Sequence, residues 1–226
     1  MLILNQHILK DREQSPLSEA FRNIRANLLR IQEEDGSKVF VFTGFCATNG
    51  CTMTAANTAV ILAYAGKRVV LVEADLRSPI LHQVFGCQDI GITNIVNGTK
   101  TLPEVLKESS IPGMSILPSG PLIINRPQTF LSDPTVKEVW TTLREEFDYV
   151  IINTSPILFH SNKVSSDACI LASRADGIFI VIDAEMVKVK AAQLGMELLK
   201  GTKTKILGTI LNNVKDDSQF MYYTSL

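Results

Sequence analysis

A chain of 226 residues, 46% of them hydrophobic and 20% charged, has enough apolar side chain to bury one large core, which excludes a disordered or low-complexity protein. Its formal net charge of −1, with both signs interspersed, offers no concentrated basic face and so gives no reason to expect nucleic acid or adsorption to anionic lipid. The four cysteines (Cys46, Cys51, Cys87 and Cys169) lack metal-ligand spacing, no leader segment is visible, and no apolar run nears the roughly 20 residues of a spanning helix; a cytoplasmic protein with reduced thiols is expected, soluble or held at a membrane by a partner.

The first predicted element is a helix within residues 1–36. Ser15 can cap it, Pro16 suits its first turn, and Leu17, Phe21, Ile24, Leu28 and Ile31 recur at three- and four-residue spacing along one face. Glu19, Arg22 and Arg25 flank that face, and their spacing of three walks them around the helix. Two readings stand for these charges: a solvated polar face, since isolated surface charges are worth little, or a contact with a neighbouring subunit.

Six β-branched runs follow, KVFVFTG, RVVLVEAD, MSILPSG, YVIINTS, GIFIVIDAE and ILGTILNN, most of them separated by helix-like segments. Near-continuous apolar strands are buried on both faces, which predicts a mostly parallel sheet with helices on either side, a single three-layer α/β domain over residues 1–226. No repeat or Pro/Gly-rich linker divides it, and PSGPLIINRPQ at 118–128 is the most loop-like stretch.

The strand, loop and helix over residues 38–66 stand where a phosphate-binding loop would. Such a loop aims backbone N–H groups and a helix N-terminus at the anion, uses glycines for close approach, neutralises the β/γ-phosphates with a lysine and holds magnesium with a Ser or Thr. Gly50 and Thr52 match the last glycine and the hydroxyl, but Cys51 takes the lysine position and Phe45 that of the leading glycine. On these residues alone the motif is weak, and an ordinary strand-to-helix turn is the favoured reading. Cys51 has two readings of its own: a reactive thiol activated by the helix N-terminus, or a small residue in an unused loop. A Cys46 to Cys51 disulfide is not expected.

The next strand ends by delivering Glu73 and Asp75 on the same side, followed by Arg77. Open parallel sheets bind ligands at the carboxyl ends of their strands, so the two acids are candidates for handling a metal or a hydroxyl proton, with a turn-forming role as the alternative. FDYVIINTSP ends in Asn153 where a phosphotransfer enzyme carries a magnesium-organising aspartate; its carbonyl can still bind a metal or a water but supplies no negative charge. His82 and His160 have no metal spacing and are expected at the surface or at strand ends.

Taken together, these motifs resemble the cytoplasmic domain of the bacterial tyrosine kinases (the BY-kinase family of capsule and exopolysaccharide export) over most of the chain. SPLSEAFRNIRANL is similar to the family's first segment, with Glu19, Arg22 and Arg25 on its E-x-x-R-x-x-R oligomerisation motif. AANTAVILAYAGKRVVLVEADLRSP resembles its post-Walker A helix and A′ strand, LPSGPLIINRPQTFLSDP its loop before a helix, and FDYVIINTSP its Walker B strand; Asn212 falls where relatives contact adenine. The resemblance implies a P-loop NTPase-like fold, a nucleotide site at Gly50, Cys51, Thr52, Met53, Asn153 and Asn212, magnesium at Thr52 and Asp75, and catalytic candidates Glu73 and Asp75. It also implies homo-oligomers through the first helix.

The chemistry departs from the family, which has lysine at 51, aspartate at 73 and 153, and glycine at 48, where this chain has Cys51, Glu73, Asn153 and Thr48. Losing one transition-state donor costs about 10²–10³ in rate. The expectation is a pseudokinase or regulatory subunit with weakened ATP, ADP and Mg²⁺ binding. The alternatives are an active tyrosine autokinase with unusual ligands and a partition or septum-site ATPase relative. A membrane-embedded polysaccharide co-polymerase is the expected partner, holding the protein at the inner face of the cell membrane, as in the family's two-protein arrangement. The tail at 216–226 carries Tyr222 and Tyr223, which resemble the family's tyrosine-rich end and are either phospho-acceptors for an active relative or a chance pair.

Overall fold

The computed structural model describes residues 8–10, 14–46, 50–122, 125–159, 163–202 and 204–214. Helix α1 (Pro16–Asp35) begins as its sequence predicts: Ser15 Oγ accepts from Ser18 N at 3.1 Å and Ser18 Oγ from Ser15 N at 3.0 Å, a reciprocal capping box. It ends at Gly36, whose φ of 73° is the left-handed conformation that glycine adopts at no steric cost. Phe21, Ile24, Leu28 and Ile31 are buried along its inner face, while Leu17 is 37% exposed. The predicted stripe therefore starts one turn later, because the first turn gives its inward position to Ser18, the helical partner of Ser15 in the capping box.

Strand β1 (Val39–Gly44) leads into α2 (Gly50–Tyr64), and β2 (Val69–Ala74) into three short helices: α3 (Leu81–Val84), α4 (Ile92–Val96) and α5 (Leu102–Val105). After β3 (Lys107–Glu108) and β4 (Met114–Leu117) come α6 (Pro127–Ser132), α7 (Pro134–Glu146) and β5 (Tyr149–Thr154). A ribbon of β6 (Leu158–Phe159) and β7 (Lys163–Val164) precedes α8 (Asp167–Ala172), β8 (Gly177–Asp183), α9 (Val189–Lys200) and β9 (Ile206–Asn212). The main sheet has the order β3-β4-β2-β5-β1-β8-β9; the six predicted strands are all parallel, and only the two-residue edge strand β3 runs antiparallel. Too short to show a period, β3 left no signal in the sequence.

The period of two along each strand divides the core into two layers. Phe40, Phe42, Leu71, Tyr149, Ile151 and Phe179 pack with α1 and α2 on one face. Val41, Val70, Val72, Val150, Ile152 and Ile180 pack with α4 to α9 on the other. Helix α2 is the central support: from Cys51 to Ala63 every residue except Met53 is buried. Its polar residues are satisfied internally, with Thr54 and Thr58 bonding back to the carbonyls of Gly50 and Thr54, and Asn57 Oδ1 accepting from Leu9 N at 2.9 Å.

Candidate functional site

Three adjacent parallel strands end at the same edge and so bring distant residues together. In the β2 to β5 register Glu73 is paired with Asn153, and in the β1 to β5 register Asn153 is paired with Phe42, two residues before β1 ends at Gly44. The N-terminal turn of α2 then sets Thr52 over this row. The Asn153 amide nitrogen donates to Glu73 Oε1 at 2.7 Å and to Thr52 Oγ1 at 3.2 Å, so Thr52, Glu73 and Asn153 form one buried cluster. Asn153 Oδ1 is buried without a partner among the described residues.

Glu73, 1% exposed, is a fully used acceptor. Besides the Asn153 amide, Oε1 receives Asp75 N at 3.2 Å, and Oε2 receives Ile80 N at 3.0 Å and Leu81 N at 3.1 Å. Its carboxyl group therefore pins the turn entering α3. Burial, then repulsion from Asp75, push it up to about 8, against the pull of the hydrogen bonds from Leu81, Ile80 and Asn153. Asp75 is half-buried and holds a turn of its own, Oδ1 accepting from Arg77 N at 3.0 Å and Ser78 N at 3.1 Å. Burial raises its pKa as well, offset by those N–H groups.

Cys51 lies inside α2's buried face. Burial, followed by the charges of Asp75 and Glu73, pushes its thiol far above the ordinary value. This burial speaks against the reactive-thiol reading of Cys51, because apolar surroundings raise a thiol's pKa where a helix N-terminus would lower it. All four cysteines are free.

Phe45, in the leading-glycine position, turns its ring into the core below α9, against Gly195. Gly50 and Met53 are half-buried at the start of α2. Asn212 ends β9 half-buried, its backbone oxygen accepting from Ala184 N at 2.9 Å, and no hydrogen bond engages its side chain among the described residues. On α1, Arg22 donates to Glu19 at 2.7 Å within the helix and Arg25 is half-buried. Thr48, His160, Tyr222 and Tyr223 lie outside the described residues.

The strand-end sequence gave Arg77 no partner, and the fold supplies one 90 residues away. Arg77 Nε donates to Asp167 Oδ2 at 2.9 Å, and Asp167, fully buried, also accepts from Ser155 Oγ at 3.0 Å. This ties the turn after β2 to the loop after β5 and to α8. Asp167 carried no local signal, since its meaning lies in a contact across the sheet.

The side chains present do not fit magnesium. That ion demands near-octahedral oxygen ligation at about 2.0–2.1 Å and sheds water reluctantly. Here the Thr52 hydroxyl and both Glu73 oxygens are already engaged by N–H donors, Asp75 caps its own turn, and no group of three or more His, Cys, Asp or Glu side chains arranged to hold a metal occurs among the described residues. Among the described residues, the N-terminus of α2 at Gly50 and the side-chain amide of Asn212 stay available to a ligand.

A buried helix whose N-terminus faces the carboxyl ends of a parallel sheet, with β1 feeding it and β2 and β5 supplying its polar row, defines a P-loop NTPase-like domain. A family profile described as an AAA domain matches residues 38–213. The tyrosine-protein kinase YwqD of Bacillus subtilis (strain 168) is 34% identical over 209 residues, covering 91% of this chain and 86% of that protein. The chain belongs to the bacterial tyrosine-protein kinase family. The crystal structure of the chimerical protein CapA2B2 superposes with a TM-score of 0.83 at 26% identity, covering 91% of this chain and 88% of that one. The septum site-determining protein MinD from Pyrococcus horikoshii OT3, complexed with Mg-ADP, shares the fold alone: TM-score 0.58, 23% identity, 77% of this chain and 69% of that one. Among the described residues no helix is long and apolar enough to cross a membrane.

Proposed function

We propose that this member of the tyrosine-kinase family has lost efficient phosphotransfer and serves as an assembling, regulatory subunit in capsule or exopolysaccharide production. One observation carries the reading: the three positions where the family places its lysine and two of its aspartates hold a buried thiol and a carboxyl–amide pair that hydrogen-bond to the protein itself. A transferring phosphoryl group would meet no lysine and no free general base there. Each missing charge-assisted contact to phosphate removes roughly 1.5–3 kcal/mol. Adenine-nucleotide binding survives in weakened form through the backbone at Gly50 and the side chain of Asn212.

In this reading the Glu19, Arg22 and Arg25 face of α1 mediates self-association, a membrane-embedded polysaccharide co-polymerase holds the assembly at the inner face of the membrane, and Tyr222 and Tyr223 are modified by an active relative. Two measurements test it. Purified full-length protein with Mg·ATP and a fragment of the membrane partner should incorporate no phosphate at Tyr222 or Tyr223; efficient autophosphorylation would show an active autokinase with unusual ligands. In sedimentation, Arg22→Glu with Arg25→Glu should lower the assembly mass, and an unchanged mass would remove the scaffold role.

A further inference from the structure

The Asn153 amide sits where two acceptors converge. Thr52 Oγ1 and Glu73 Oε1 lie on either side of Nδ2, at 3.2 and 2.7 Å, and the two N–H bonds of a primary amide point in two directions, one for each. Oxygen acceptors that converge in a buried position require something positive between them. A divalent cation is one solution and an amide N–H₂ group is another. The amide carries the needed partial positive charge on its hydrogens, has no hydration shell to shed, and is anchored by β5.

The orientation of the amide is fixed by its surroundings. Oε1 of Glu73 accepts from the backbone N–H of Asp75 and Oε2 from those of Ile80 and Leu81, the pattern of an acceptor on both oxygens. With Glu73 ionised, turning the amide over would set Oδ1 against Glu73 Oε1, lone pair to lone pair. The cost of the observed orientation is visible on the other side, where Oδ1 is buried without a partner; an unmet buried acceptor costs about 1–3 kcal/mol. The two contacts of Nδ2 offset that cost.

We propose that the side-chain amide of Asn153 stands in place of the divalent cation, so that this site takes an adenine nucleotide in its metal-free form. The inference rests on the reading of this strand-end cluster as a nucleotide site without efficient phosphotransfer. It goes further in naming the form of the ligand and the residue that selects it.

The test is direct metal binding to the full-length protein without nucleotide, using Mn²⁺ as the probe and electron paramagnetic resonance to count the free ion. The wild type should bind no Mn²⁺ at this site. Asn153→Asp, which sets a second carboxylate beside Glu73, should bind Mn²⁺ at least about tenfold more tightly than the wild type, ligand charge being what tunes such sites. It should also melt lower than the wild type in EDTA and recover on addition of Mg²⁺, while the wild-type melting temperature is the same in EDTA and Mg²⁺. If Asn153→Asp does not fold, Asn153→Ala carries the test, since removing the amide frees Thr52 and Glu73 Oε1 for a cation. Mn²⁺ binding by the wild type equal to that of the variants would overturn the proposal, and so would folded variants that gain none. Calorimetry with ADP gives the second readout: equal affinity in EDTA and in Mg²⁺ supports the proposal, and an affinity that needs Mg²⁺ overturns it. A phosphotransfer assay that found activity would instead refute the regulatory reading, so the two failures are distinct.

Discussion

Phe45 and Gly195 meet with no room for a methyl group between them: a Cβ built on Gly195 falls well inside van der Waals contact with the Phe45 ring. The position that a phosphate loop gives to a glycine is occupied here by an aromatic wedge, and the glycine appears instead on α9 to receive it. The end of β1 and the seat of α9 are thereby one packing unit.

Gly195→Ala should therefore destabilise the protein by about 1–3 kcal/mol through overpacking, despite alanine's better helix propensity. At this chain length that lowers the melting temperature by roughly 2–4 °C per kcal/mol. Calorimetric melting checks it; an unchanged or raised melting temperature would mean that the ring moves aside freely.

Arg77 and Asp167 form the ion pair joining β2's turn to α8. Arg77→Ala leaves a fully buried carboxylate with Ser155 as its remaining side-chain donor among the described residues, and breaking a buried pair from one side costs about 3–5 kcal/mol. Asp167→Asn should cost less, because the amide oxygen still accepts and Arg77 reaches solvent. Urea titrations of both single variants and of Arg77→Ala with Asp167→Ala should show non-additivity, the double variant losing less than the summed singles.

Glu73 predicts a pH dependence with a definite sign. Its folded pKa, about 8, lies above the ordinary carboxylate value of 4.5, so between these values the folded state holds a proton that the unfolded chain has released. Stability due to this group is full below about pH 4.5, falls through the interval by up to about 1.4 kcal/mol per pH unit, and is flat above pH 8. Glu73→Gln should flatten that interval, its oxygen serving Ile80 and Leu81 while Asn153 turns its Oδ1 to the new amide. Equal slopes for wild type and variant in denaturant midpoints against pH would show that another group titrates.

Cys51 should be the slowest of the four thiols to react. It is buried, whereas Cys46, Cys87 and Cys169 are half-buried, so a thiol reagent reaches it only when α2 opens. Mass spectrometry of partially labelled native protein reads the order directly, and early labelling at Cys51 would restore its claim to reactivity.

Much of the architecture was legible along the chain because it depends on local period and end signals. Six apolar runs became six parallel strands, and Ser15 and Pro16 started α1 where expected, since capping and alternation are satisfied by near neighbours. The two-residue strand β3, the β6 and β7 ribbon and the exposure of Leu17 were not legible, being consequences of which neighbour an edge or a first turn happens to meet.

The site divides in the same way. Its residue types at the strand ends, and the absence of a lysine at Cys51 and an aspartate at Asn153, are facts of sequence. What those residues contact was decided by tertiary structure. Glu73 and Asn153 are 80 residues apart in the chain, and only the parallel register of β2 and β5 makes them a hydrogen-bonded pair; Arg77 and Asp167 are 90 apart and meet only across the sheet edge. A carboxylate's role depends on its dielectric surroundings and on which donors face it, and those are set by packing between elements that are remote in the sequence.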